Sequence, residues 1–77
     1  MTRDEFIAAL EKVVDVEPGT FKSGKVLDDI VEWDSLAVIE YQMLADEELG
    51  LDLEAEQVHF CKTFDDLLAL VADRFDS

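Results

Sequence analysis

One cysteine, one histidine and one proline occur in 77 residues, and only six lysines and arginines stand against twenty aspartates and glutamates. A single cysteine excludes an internal disulfide, so a chain this short must be held together by helix packing alone. With no second thiol and no second imidazole there is no zinc-type ligand cluster, and Cys61 reads as a small buried hydrophobe. His59 has no orienting acid near it in sequence and reads as a surface or packing residue. No Gly-x-Ser-x-Gly elbow occurs, which disfavours a serine hydrolase. No Asp-x-Asp-x-Asp-Gly loop occurs either, which excludes an EF-hand calcium site. No apolar run approaches membrane-spanning length, and Met1 to Leu10 carries acids where a secretory signal needs a positive region and an apolar core. The expectation is a soluble cytoplasmic protein in one domain, residues 1–77, and a monomer.

The formal charge of −14 disfavours nucleic acid and anionic membranes as partners. Its distribution is uneven: no lysine or arginine lies between Lys25 and Lys62, while eleven acids fall there, from Asp28 to Glu56. The middle of the chain is a negative surface. Solubility alone is one explanation of it, and attraction of a basic partner is another.

All periodic segments read as helix. Thr2 with Glu5 makes a capping box, followed by Phe6, Ile7, Leu10, Val13 and Val14 on one face, which predicts a first helix over about residues 3–15. Pro18-Gly19 is suited to a type II turn. It opens a long ordered loop pinned by Phe21, Val26, Leu27, Ile30 and Trp33. Asp34 is a good N-cap, Trp33 and Val38 stand at the two positions of a hydrophobic staple, and Gly50 is a natural residue just past a helix end; a second helix follows over 35–49. A helix of one or two turns fits within 54–60. Thr63 with Asp66 opens a last helix, whose face is Phe64, Leu67, Leu68, Val71 and Phe75 and whose end is near Arg74 and Phe75. The fold class expected is all-α, a small bundle of three longer helices and one short one, with no strand.

The helix over 35–49 has two apolar faces. At about 100° per residue, Val38, Tyr41, Ala45 and Leu49 form a core stripe, and Leu36, Ile39 and Met43 fall nearly opposite, among Glu40, Asp46 and Glu47. An exposed apolar strip edged with acids has the make-up of a partner-docking surface. The alternative is a helix lying between two others and burying both faces. Asp46, Glu47 and Glu48 occupy the last turn, where the macrodipole is negative and each costs a few tenths of a kcal/mol. Three adjacent violations of a local rule are the pattern of a functional surface.

Asp34-Ser35-Leu36 stands where the loop enters this helix, so the Ser35 hydroxyl is expected to point outward beside free N–H groups that favour an anion. The residues by themselves support a phosphorylated or phosphodiester-linked serine. Together with Leu36-Ala37-Val38-Ile39-Glu40-Tyr41 and Asp46-Glu47-Glu48-Leu49-Gly50-Leu51, the tripeptide resembles the acyl and peptidyl carrier protein family over essentially the whole chain.

That resemblance implies a non-enzymatic carrier, with 4′-phosphopantetheine attached from coenzyme A at Ser35 and acyl or aminoacyl groups held on it as thioesters. Asp34 is then the residue that helps hold magnesium and the phosphopantetheinyl transferase during loading. Leu36, Ile39, Glu40, Met43, Asp46 and Glu47 are the positions that face partners, namely a loading ligase and acyl-processing enzymes with basic patches. Tyr41, Ala45, Val58 and Cys61 are candidates for the acyl pocket. Cys61 takes the place of a larger aliphatic residue, which either enlarges the cavity or leaves a gap filled by a neighbour such as Phe60. Ala37 and Gln42 depart from the fatty-acid carriers, and Glu32-Trp33 resembles specialised carriers more than the housekeeping one; the resemblance leaves fatty acid, polyketide and nonribosomal peptide biosynthesis open as the pathway. The alternative function is an unmodified acidic adaptor or nucleic-acid mimic that docks on a basic protein and has no need of Ser35.

Overall fold

Thr2 starts the first helix through a reciprocal cap: its hydroxyl accepts from the Glu5 N–H at 3.2 Å, and the Glu5 carboxylate accepts from the Thr2 N–H at 2.8 Å. The computed structural model describes residues 1–75; the last two residues of the expected domain, 76 and 77, lie outside them. Helix α1 runs Arg3–Val14 and ends on Asp15 in the left-handed region, φ 65°. Phe6, Leu10 and Val14 are buried. Val13, expected on the same face, is instead 43% exposed. On a wheel of about 100° per residue Val13 falls at the Phe6 edge of the buried arc, which runs from Phe6 through Leu10 and Val14 toward the side of Glu11.

That stripe also buries Glu11, only 6% exposed, which the pattern of apolar residues did not reveal. Its Oε2 accepts from the Gly19 N–H at 2.7 Å and the Phe21 N–H at 3.1 Å, fastening the loop to α1. Between these contacts the Thr20 N–H donates to the Glu17 carbonyl at 3.1 Å, and Gly19 has φ 91°. This is the positive φ that the third residue of a type II turn needs. Phe21 then stacks on Phe64 at 5.1 Å and meets Trp33 edge-on at 5.9 Å.

Leu27 and Ile30 are buried as expected, and residues Leu27–Asp29 form a 3-10 turn. Val26 departs from the expectation: its side chain is exposed. The segment is pinned by backbone instead, as an isolated antiparallel bridge between Val26 and Thr63, with the Leu27 N–H on the Lys62 carbonyl and the Phe64 N–H on the Lys25 carbonyl, both at 2.9 Å. No strand occurs among the described residues.

Helix α2 runs Ser35–Leu49, α3 Ala55–His59 and α4 Phe64–Val71. Gly50, φ 67°, closes α2, with its N–H on the Asp46 carbonyl at 3.1 Å. A second reciprocal cap, Thr63 with Asp66, opens α4. The last helix is shorter than expected, because residues Ala72–Arg74 tighten into a 3-10 turn. Phe75 is extended rather than helical and reaches the core that way, its ring 5.6 Å from Phe6.

Around these elements one compact all-α core forms. At its centre is Tyr41, fully buried, edge-on to Phe6 and Trp33, with its hydroxyl donating to the Leu67 carbonyl of α4. Burial, with a smaller contribution from Cys61, raises the phenol pKa above its ordinary value of about 10. The folded chain therefore holds this proton more tightly than the unfolded chain. The linked stability is fully present below about pH 10 and is lost as pH rises toward the folded-state value. Tyr41 is the single tyrosine, so tyrosinate absorbance reports it alone. In an alkaline titration that absorbance should rise together with loss of helical circular dichroism; phenolate appearing while the helices persist would contradict a buried, bonded hydroxyl.

Candidate functional site

The end of the long loop and the first turn of α2 build the site. Asp34 is extended, and its Oδ1 accepts from the Ala37 N–H at 3.0 Å, while its carbonyl accepts from the Val38 N–H at 3.1 Å. The cap satisfies Ala37 and leaves the N–H groups of Ser35 and Leu36 without an acceptor in the helix. Ser35 is exposed, and its hydroxyl has no hydrogen-bond partner among the described residues. An anion attached to that oxygen would lie beside two free donors at the positive end of a fifteen-residue helix.

A cleft of about 250 Å³ opens beside Ser35, between the start of α2 and α3. Trp33, Asp34, Ser35 and Val38 form one wall, Val58, His59 and Cys61 the other, and Leu27 and Asp28 complete it from the 3-10 turn. Thus Ser35, Asp34, Val58 and Cys61, candidates from distant parts of the chain, meet at one opening. Tyr41 and Ala45, named with them, do not line it. Both are fully buried further along the inward stripe of α2.

Sequence reasoning did not assign Leu27, Asp28, Trp33 or His59 to this cleft. Only Trp33 carried a signal, in its staple spacing to Val38. The turn at Leu27–Asp29 and the five-residue α3 are too short to show a periodic face.

Cys61 is half-buried, and its Sγ donates to the Gln57 carbonyl at 3.4 Å. Burial first, and the Asp66 carboxylate second, push its thiol pKa up, so it stays protonated at neutral pH. Phe60 does not fill the space beside it, being 81% exposed.

Away from the cleft, the outward face of α2 leaves Leu36, Ile39 and Met43 exposed at 61, 50 and 54%. The helix therefore does not bury both apolar faces. Glu40 is half-buried next to this strip, and Asp46 and Glu47 are exposed at its lower end. Ala37 and Leu44 join the expected Val38, Tyr41, Ala45 and Leu49 on the inward side. Of the eleven acids between Lys25 and Lys62, ten are exposed and Glu40 is half-buried, so the negative charge of this stretch meets solvent, and on α2 it gathers at the last turn.

Among the described residues no three His, Cys, Asp or Glu side chains gather as a metal site, and no helix is long and apolar enough to cross a membrane. Scans against protein families, curated proteins and solved structures returned no match to this chain.

Proposed function

We propose that this chain is a carrier protein, modified at Ser35 with 4′-phosphopantetheine and serving lipid or specialised-metabolite biosynthesis. The observation that carries the reading is an exposed hydroxyl, without a partner among the described residues, on the first residue of a capped helix and opening on a mainly polar cleft. When attached, the arm supplies a terminal thiol on which an acyl or aminoacyl group is held as a thioester.

The chain's own residues do the rest. In the loading step the Ser35 Oγ gives up its proton to the transferase and bonds to phosphorus as the pyrophosphate bond of coenzyme A breaks; the nucleotide leaves with the electron pair. The N–H groups of Ser35 and Leu36 lie next to the phosphodiester charge. Asp34 fixes the helix start and adds a carboxylate where magnesium and the transferase would bind. The cleft beside Ser35, edged by Trp33, His59 and Cys61, gives the arm a place to lie against the chain, and the chain itself performs no turnover.

Delivery depends on the outer face of α2. Exposed carboxylates on a stretch that holds no lysine or arginine bring basic partners in quickly, and the Leu36, Ile39 and Met43 strip gives a small dry contact. Docking of this kind is brief and salt-sensitive, which lets one carrier visit several enzymes. The double variant Glu47→Lys, Met43→Ala should keep the fold, since both residues are exposed. It should lower kcat/KM for cargo transfer by about tenfold or more, the effect of one reversed charge and one lost apolar contact. Transfer at the wild-type rate would remove α2 as the docking face.

The direct test of the reading is intact mass after incubation with a promiscuous phosphopantetheinyl transferase, magnesium and coenzyme A. A gain of one phosphopantetheinyl group is expected. An unchanged mass would leave the unmodified acidic adaptor as the better description.

A further inference from the structure

Val13 is an apolar residue of α1 left in solvent, and it does not stand alone. With Met43 and Leu44 of α2 it lines a depression of about 110 Å³ between the two helices, flanked by Glu40 and Glu47. The space is small, on the scale of one side chain rather than of a larger ligand. Leu44, buried against the core, forms its floor; Val13 and Met43 are its exposed lips. No lysine or arginine of the chain lines it, and neither flanking glutamate has a side-chain partner among the described residues.

We infer that this depression is a socket for one aliphatic side chain, leucine- or methionine-sized, presented by a partner protein with lysine or arginine on both sides of it. The inference rests on the docking half of the proposed function and is independent of modification at Ser35. Charge complementarity selects the occupant. Two unpaired carboxylates three and four residues from Met43 flank an apolar hole whose lining holds no base, so an apolar knob alone would leave them unanswered, and cations alone would leave the hole wet. A second copy of this chain is a poor occupant, because it carries the same negative field. The docking surface therefore spans two helices, with α1 supplying one lip.

The test uses the unmodified full-length chain and two end-blocked pentapeptides, Lys-Arg-Leu-Arg-Lys and Lys-Arg-Ser-Arg-Lys, titrated at low ionic strength and followed by NMR. The leucine peptide should saturate shifts centred on Val13, Met43 and Leu44. It should bind roughly threefold to tenfold more tightly than the serine peptide, as partial burial of one leucine allows. Added salt should weaken both peptides while the ratio between them persists, because screening acts on the charges and not on the apolar contact. Val13→Asp and Met43→Gln should each abolish the preference for leucine with helical circular dichroism unchanged. Equal affinities for the two peptides on the wild-type chain would overturn the inference. So would leucine-specific shifts centred on the Ser35 cleft, or a preference that survives both substitutions. None of these outcomes bears on whether Ser35 can be loaded, which the mass measurement decides separately.

Discussion

Ser35→Ala should abolish loading outright, with no gain in mass under conditions that modify the parent chain completely, and with the fold intact. The loss is total because the oxygen itself forms the new bond, and the neighbouring residues offer no substitute hydroxyl within the first turn of α2. The fold is spared because Ser35 is exposed and its hydroxyl bonds nothing, so its removal should change stability by no more than about 0.5 kcal/mol. Asp34 separates two roles by comparison. Asparagine caps a helix about as well as aspartate, so Asp34→Asn should keep the thermal midpoint while slowing loading; Asp34→Ala should slow loading and also cost about 1 kcal/mol from the lost bond to the Ala37 N–H. Modification of the Ser35→Ala chain at another residue would place the anchorage elsewhere.

The largest effect on stability should come from a residue far from that site. Glu11→Ala removes the acceptor of both the Gly19 and Phe21 N–H groups, the second of them buried. An orphaned buried donor costs about 1–3 kcal/mol, so the loss should total about 2–3 kcal/mol. In a domain of this size that is a large share of the whole stability, and it should lower the melting temperature by roughly 10–20 °C. Both bonds end on the same oxygen. Glutamine can present a carbonyl oxygen there, so Glu11→Gln should lose only the charge assistance, about 1 kcal/mol. Equal melting temperatures for the two variants would show that the carboxylate's bonds to the loop do not hold it.

Glu11 also marks where sequence reasoning stops. The three longer helices were legible because each carries its own start signal, in Thr2 with Glu5, Asp34, and Thr63 with Asp66, and because Phe6, Leu10, Val38, Tyr41, Leu67 and Val71 repeat at helical spacing. The outward strip of Leu36, Ile39 and Met43 was legible for the same reason. What was not legible depends on partners distant in sequence. Glu11 is buried by a turn eight to ten residues away, and Val26 faces outward because its backbone pairs with Thr63. The Ser35 cleft was half readable: its α2 wall follows from local signals, whereas His59, Leu27 and Asp28 reach it only through the packing of short segments. Tyr41 and Ala45 were named for a pocket on the strength of facing inward, and an inward direction does not distinguish a packed interior from a cleft wall.

The chain's one thiol sits in the wall of that cleft, protonated at neutral pH and half covered. It is therefore a built-in footprinting label: alkylation should be slow in the bare protein and slower still when anything attached at Ser35 folds back over α3, so that the reagent's rate constant reads out where the tether spends its time.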